Sequence, residues 1–338
     1  MIFSVLSTLS SMSVLSQNMK SDDYAKQGLL LAQDFPGLAS LCDLSKPLRD
    51  MGAKRERSSR QQDDQTRTQR DTSKQQSRPK LGPVKVFDNL YYVGTAGVAS
   101  WVVKTSEGLV VIDALNNDRQ AKEYIESGIE QLGLNPKDIK YLIISHGHGD
   151  HYGGQNYLVK NYQPRVVMSE IEWTILEQPE QDFSSPNWGS KPTRDISIKD
   201  GDAITLGDTT IQLYITPGHT QGTLSVIFPV YDQGEKHIAS MWGGTGLNYG
   251  PKLERILAYS NSAKRFKQIA EVQNVDIFLS NHPKLDGTNE KIKALLSRKN
   301  QEPHPFVIGK KSVGKGYDLL KNCTYAQALK IQEQSQSF

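Results

Sequence analysis

The chain has 338 residues, 37% hydrophobic and 23% charged, with 40 Lys or Arg against 37 Asp or Glu. That content supports a globular body of one or two domains and excludes a wholly disordered chain. No run approaches the roughly twenty apolar residues of a membrane-spanning helix, and the net charge of +3 is too small to mark a basic protein.

From the N-terminus, Met1 to Gln17 is Ser-rich and mildly apolar, with Val14-Leu15-Ser16 as a passable cleavage site but no basic start. It reads equally as a weak export signal or as an unstructured end. Export predicts a periplasmic or secreted protein; the alternative is cytoplasmic. Residues 22 to 44 carry Tyr24, Leu29, Leu30, Leu31, Phe35, Leu38, Leu41 and Leu44, interrupted at Pro36-Gly37. They predict one or two short helices packed on a larger body. From 45 to 80 apolar residues nearly vanish, and eleven Lys or Arg stand against five Asp or Glu. Such a stretch buries too little to offset its ordering entropy and reads as a basic, polar, flexible linker. Its local excess of +6 leaves the rest of the chain near −3, so the folded part shows no basic surface for nucleic acid. The expected division is therefore 1–44, 45–80, and a domain over 81–338.

Order resumes with short β-rich runs at Val84–Phe87, Leu90–Val93, Ala99–Val103 and Leu109–Ile112, separated by turn residues, which predict an antiparallel meander ending at Asp113. Ala121, Tyr124, Ile125, Ile129 and Leu132 make one helix face that stops at Gly133. The run Tyr141-Leu142-Ile143-Ile144 then predicts a buried strand. A helix over 153–161, a strand over 165–168, a helix over 170–176 and an irregular loop over 182–194 follow. Ala203–Leu206, Thr210–Ile215 and Thr223–Val230 form a second meander, continued by a strand from His237 to Trp242. A helix striped by Ile256, Tyr259, Ala263, Phe266 and Ala270, a strand over 275–279, and helices over 289–296 and 313–331 complete the chain. This order implies helices packed on sheets.

Chemistry concentrates after the strand at Tyr141, in Ser145-His146-Gly147-His148-Gly149-Asp150-His151-Tyr152. Four metal-binding side chains fall within six residues. His146 and His148, two apart, point the same way from an extended chain, while Asp150 and His151 lie past the bend and face a second ion. Gly147 and Gly149 let the backbone turn there. Imidazole and carboxylate suit zinc or a similar first-row ion. The bland alternative is a His-rich surface loop with no metal. His219, in Thr216-Pro217-Gly218-His219-Thr220-Gln221-Gly222-Thr223, and His282, in Ser280-Asn281-His282-Pro283, stand at two further strand ends. His237 and His304 close no ligand pattern and read as packing or surface residues. Cys42 and Cys323 stand apart from these motifs; they are either two buried thiols or one disulfide joining the N-terminal segment to the C-terminal helix.

The His-x-His-x-Asp-His pattern, followed by Pro217-Gly218-His219-Thr220 and a glycine, resembles the metallo-β-lactamase superfamily over about residues 84 to 300. The resemblance implies an α/β fold, an αββα sandwich of the metallo-β-lactamase type, here with an N-terminal extension. It implies that His146, His148 and His219 hold one Zn2+ and that Asp150, His151 and His282 hold a second. Most superfamily hydrolases also carry a bridging Asp where this chain reads Ser240-Met241-Trp242-Gly243-Gly244. The lack of a carboxylate or Cys there resembles the lactamase subclass with a three-His site and an Asp-His-His site. A zinc-bridging hydroxide would then attack a cyclic amide or related small carbonyl substrate, Asp150 being both ligand and proton acceptor. Tyr152, Trp188, Thr223, Trp242 and Thr245 are the candidate substrate contacts. None is a Lys or Arg, and Gly243-Gly244-Thr245 departs from the lactamases' serine-bearing segment, so the expected β-lactam hydrolysis is weak. The competing readings are a lactonase or esterase on the same site, and a non-catalytic metal-binding protein that recruits a partner.

Overall fold

A computed structural model describes residues 19–53, 81–182 and 184–336. The export signal expected over 1–17 and the part of the linker over 54–80 lie outside the described residues. The stretch 45–53, read from composition as the start of the linker, instead lies along the body. Asp50 bridges to Tyr249, Met51 N–H donates to the Asn248 carbonyl at 2.8 Å, and Gly250 N–H donates to the Arg49 carbonyl at 3.0 Å. Backbone pairing, which composition does not register, holds this polar chain in place.

Helix α1 is Ser21–Leu29. Its first residue donates through N–H and hydroxyl to Glu333 at 2.9 and 2.6 Å, so a carboxylate caps the helix start. The 3-10 turn Leu38–Cys42 follows. Then come strands β1 (Val84–Lys85), β2 (Leu90–Tyr92), β3 (Trp101–Thr105) and β4 (Gly108–Ile112), and helix α2 over 118–131, whose middle turns are π-wound. Strand β5 (Ile139–Ile143) leads to a single-turn helix α3 (Gly149–Tyr152), helix α4 (Gln155–Tyr162), β6 (Arg165–Ser169), α5 (Glu170–Leu176) and β7 (Ile196–Ile198). The short β7, just beyond the irregular loop, has no matching sequence expectation. Strands β8 (Ala203–Leu206), β9 (Thr209–Ile215), β10 (Leu224–Asp232) and β11 (Glu235–Trp242) precede α6 (Leu253–Val272), β12 (Ile277–Ser280), α7 (Thr288–Ser297) and α8 (Lys310–Ser335).

Two sheets result, one in the order β1 to β7 and one in the order β12-β11-β10-β9-β8. Pairing is antiparallel where turns are short, and parallel at β4-β5, β5-β6, β6-β7 and β11-β12, where helices make the crossover. The inner faces meet in one core, with Trp101, Val103, Ile112 and Val167 from the first sheet and Leu213, Val226, Phe228 and Met241 from the second. Alternate residues serve the outer faces: Val102, Val111 and Leu142 pack on Ile125, Ile129 and Leu158. Ile227, Trp242 and Phe278 pack on Tyr259, Phe266 and Tyr317. This is the helix-sheet-sheet-helix sandwich that the resemblance implied. The N-terminal segment joins the second outer layer through Phe35 and Leu38. Of the two states open to the cysteines, the disulfide is found: Cys42 is bonded to Cys323 on α8. Gly28 makes room for it, since a Cβ there would lie 2.5 Å from both sulfurs.

Candidate metal centre

All six predicted ligands converge at one edge of the sandwich, where β5, the β9-β10 loop, and the ends of β11 and β12 meet. His146, His148 and His219 form one donor group and Asp150, His151 and His282 another, each with ligand atoms within 4.8 Å of one another. His219 Nε2 lies 3.1 Å from His146 Nε2 and 3.0 Å from His148 Nδ1. The rings of His146 and His151, one from each group, are 4.2 Å apart between centroids.

Each orienting contact leaves a lone pair facing inward. His146 Nδ1 meets the Gly243 carbonyl at 2.8 Å, His219 Nδ1 that of Gly246 at 2.6 Å, and His282 Nδ1 that of Gly97 at 3.0 Å. His151 Nδ1 meets Asp113 Oδ2 at 2.8 Å. A carbonyl or carboxylate accepts only a proton, so each Nδ1 carries the N–H and each Nε2 is left as a donor atom for a metal. His151 Nε2 is buried with no hydrogen-bond partner among the described residues, which is costly unless a cation takes its lone pair. Burial pushes the imidazoles of His146 and His148 far down and that of His219 to about 3. These rings are therefore neutral, the form that binds metal. The donor set, five imidazoles and one carboxylate with no thiolate, fits two zinc-like ions.

The loops are braced by residues without a prior site assignment. Asp113, at the end of β4 with φ of 65°, accepts Ser145 N–H at 2.8 Å and the Ser145 hydroxyl at 2.9 Å besides orienting His151. Asn281 donates through Nδ2 to the same Gly243 carbonyl that orients His146, at 2.6 Å. Glu172, fully buried, accepts Gly147 N–H at 2.6 Å and Gly222 N–H at 2.8 Å. Arg255 donates to the carbonyls of Gly218, at 3.0 Å, and His219. Only Asp113 left a trace in the sequence, as a carboxylate ending an apolar strand; the others lie far from the motifs they serve.

The predicted substrate contacts divide. Trp188 lies over the first metal loop: its ring is 6.2 Å from that of His148 and nearly parallel to it, and a Cβ on Gly149 would strike it at 2.4 Å. Thr245 is buried, with its hydroxyl unpartnered among the described residues; it follows Gly244, which packs directly on the His219 ring. Tyr152, expected as a substrate contact, is only 5% exposed and belongs to the apolar cluster outside the first sheet. Thr223 spends its hydroxyl on its own loop, accepting Thr220 N–H at 3.0 Å. Trp242 is wholly buried behind the second sheet, its indole N–H donating to Tyr259 Oη at 2.9 Å. Strand alternation turns it to the helical layer, so the expected contact is corrected. His237 pairs with Asp276 at 2.7 Å, and His304 contacts the Val86 carbonyl at 2.8 Å, both outside the metal groups.

The side chains of Asp150 and His282, 23% and 27% exposed, give the pair of groups its open side; His146 and His151 are sealed. No described helix is long and apolar enough to cross a membrane.

A family model described as the metallo-beta-lactamase superfamily matches residues 93–232. Among solved structures, a mutant of FEZ-1, the metallo-beta-lactamase from Legionella gormanii, superposes with a TM-score of 0.65 at 25% identity, covering 77% of this chain and 98% of its own. BJP-1, a subclass B3 metallo-beta-lactamase of Bradyrhizobium japonicum, does so with a TM-score of 0.58 at 27% identity, covering 79% and 97%. Curated relatives differ in activity. A hydroxyacylglutathione hydrolase of Gloeothece citriformis is 26% identical over 38% of this chain and 42% of its own length. The N-acyl homoserine lactonase AiiB of Agrobacterium fabrum is 27% identical over 44% and 59%. The chain thus spans about two-fifths to three-fifths of these two relatives.

Proposed function

The chain carries a metallo-β-lactamase superfamily domain, and on that premise we propose a dizinc hydrolase that opens a cyclic amide of the β-lactam kind. The observation that carries this reading is the pair of facing donor groups, three His against Asp-His-His, in a fold whose solved neighbours include subclass B3 lactamases. His146, His148 and His219 would hold one ion and Asp150, His151 and His282 the other. Two bound zinc ions supply an acidified water at neutral pH and polarise the carbonyl under attack.

The protein's own groups do the rest. Asp150 Oδ2, 3.5 Å from His151 Nε2 and 3.9 Å from His282 Nε2 at the open edge, orients the attacking water and takes up its proton. Trp188 walls the His148 side and excludes bulk water, and Thr245, whose buried hydroxyl has no partner among the described residues, is the candidate hydroxyl for a substrate carboxylate. Neither carries positive charge, so substrate is held weakly.

The test is metal analysis followed by a hydrolysis screen. We expect two zinc equivalents, with measurable penicillin, cephalosporin or carbapenem turnover at a high KM. One zinc equivalent under replete conditions sinks the two-ion mechanism. Turnover of a lactone or thioester with no β-lactam touched establishes the second reading, a lactonase or thioesterase, which the curated relatives favour. We also infer that the protein works in the periplasm or outside the cell, a reading supported by the Cys42–Cys323 disulfide. Fractionation that recovers it only from the cytoplasm refutes this.

A further inference from the structure

Glu172 is a carboxylate with no exposed surface and no basic partner at ion-pair distance among the described residues. Burying an unpaired carboxylate is costly, so its surroundings must require two acceptor oxygens on one side chain. They do. Oε2 accepts the N–H of Gly147, the residue between His146 and His148, and Oε1 accepts the N–H of Gly222, three residues past His219. These two loops bring together the three-His group from opposite sheets, and Glu172 is in hydrogen-bond contact with both.

The start of α5 grips the second loop twice. Ser169, the N-cap of α5, donates through Oγ to the Gly222 carbonyl at 2.7 Å and accepts Glu172 N–H at 3.1 Å. The Gly222 residue is therefore held at both its N–H and its C=O. Both glycines are required by the close approach: a Cβ on Gly147 would stand 2.7 Å from Glu172 Oε2, and one on Gly222 2.4 Å from Ser169 Oγ. The His219 loop is held in addition by Arg255, which donates to the carbonyls of Gly218 and His219.

We propose that Glu172 is a positioning residue that sets the spacing of the His146–His148 and His219 loops and thereby tunes metal affinity at the three-His group in preference to the Asp-His-His group. The inference rests on the metal-binding part of the function proposed above. Its selectivity follows from the contacts: in the other group His151 and His282 are braced instead through Asp113 and Gly97. Glutamine cannot substitute, because its amide nitrogen would confront one of the two N–H donors.

The experiment is zinc affinity measured by competition with a chromophoric chelator, resolving two binding steps, on the full chain and on Glu172→Gln and Ser169→Ala. Assignment of the steps comes from His219→Ala and His282→Ala. Glu172→Gln should weaken the three-His step about 10- to 100-fold and leave the other within about threefold, with the metal-free variant folded by circular dichroism. Ser169→Ala should weaken the same step by a smaller factor. Unchanged affinity in folded Glu172→Gln overturns the proposal, as does equal weakening of both steps, which would make Glu172 a general brace. Should Glu172→Gln fail to fold, Ser169→Ala decides: selective weakening supports the proposal and unchanged affinity overturns it. A parent protein that takes up no zinc refutes the metal reading itself, a result distinct from any change between variants.

Discussion

Replacing Asp113 by Asn exchanges one carboxylate oxygen for NH2 and should expose how the second metal group is tuned. Asp113 sits at φ 65°, a conformation that Asn tolerates nearly as well, so backbone strain is held constant. Its carboxylate accepts three hydrogen bonds, two from Ser145 and one from His151 Nδ1. With the amide oxygen retained toward Ser145 N–H, the new NH2 faces His151 Nδ1 and needs an acceptor there. A neutral imidazole carries one N–H. The proton therefore moves to Nε2, the atom that must give a lone pair to the metal. Losing the correct tautomer should lower affinity at the Asp-His-His group about 10- to 100-fold, equivalent to roughly 1.4–2.8 kcal/mol. The three-His group should change little. Chelator competition on Asp113→Asn, with circular dichroism to establish folding, reads this directly. Unaltered affinity for both ions would show that Asp113 does not fix the His151 tautomer, and the assignment of His151 Nε2 as a ligand atom would fall with it.

Trp188→Ala should raise KM for whichever substrate is turned over while leaving the melting temperature within a few degrees, because Trp188 is a half-buried wall. Trp242→Ala should do the reverse, costing about 3–5 kcal/mol of stability in chemical denaturation; a Trp242 variant of normal stability and altered KM would return that residue to the site. Opening the disulfide by Cys42→Ser with Cys323→Ser should lower stability by about 3–5 kcal/mol, since the bond closes a loop of sequence separation 281. Equal unfolding midpoints for the double variant and the oxidised parent would refute that. The Asp232 carboxyl, bonded through both oxygens to Arg298 at 2.9 and 2.7 Å, is held below its ordinary value by those hydrogen bonds. Its contribution, about 1 kcal/mol, is thus present above the unfolded value near 4 and lost as pH falls through the lower folded one. The stability of Asp232→Asn should show a correspondingly weaker acid dependence in urea titrations between about pH 5 and 2.

Features written in short-range patterns were legible from the residues alone. The run Tyr141–Ile144 before the histidine loop, the stripe of α6 and the His-x-His-x-Asp-His spacing each depend on neighbours within a few positions, and all three lie where their patterns put them. The six ligands were legible because metal chemistry restricts them to few residue types at strand ends. Tertiary structure decided what depends on distant partners. Trp242 and Met241 are adjacent, and only sheet packing shows which one faces the helical layer. Polar residues 45–53 look like linker until their pairing with 248–250 is seen. Glu172 and Asn281 are ordinary in sequence because their worth lies in backbone N–H and carbonyl groups of loops 25 to 50 residues away. Every residue but proline carries both backbone groups, so composition cannot mark which of them a buried side chain will hold.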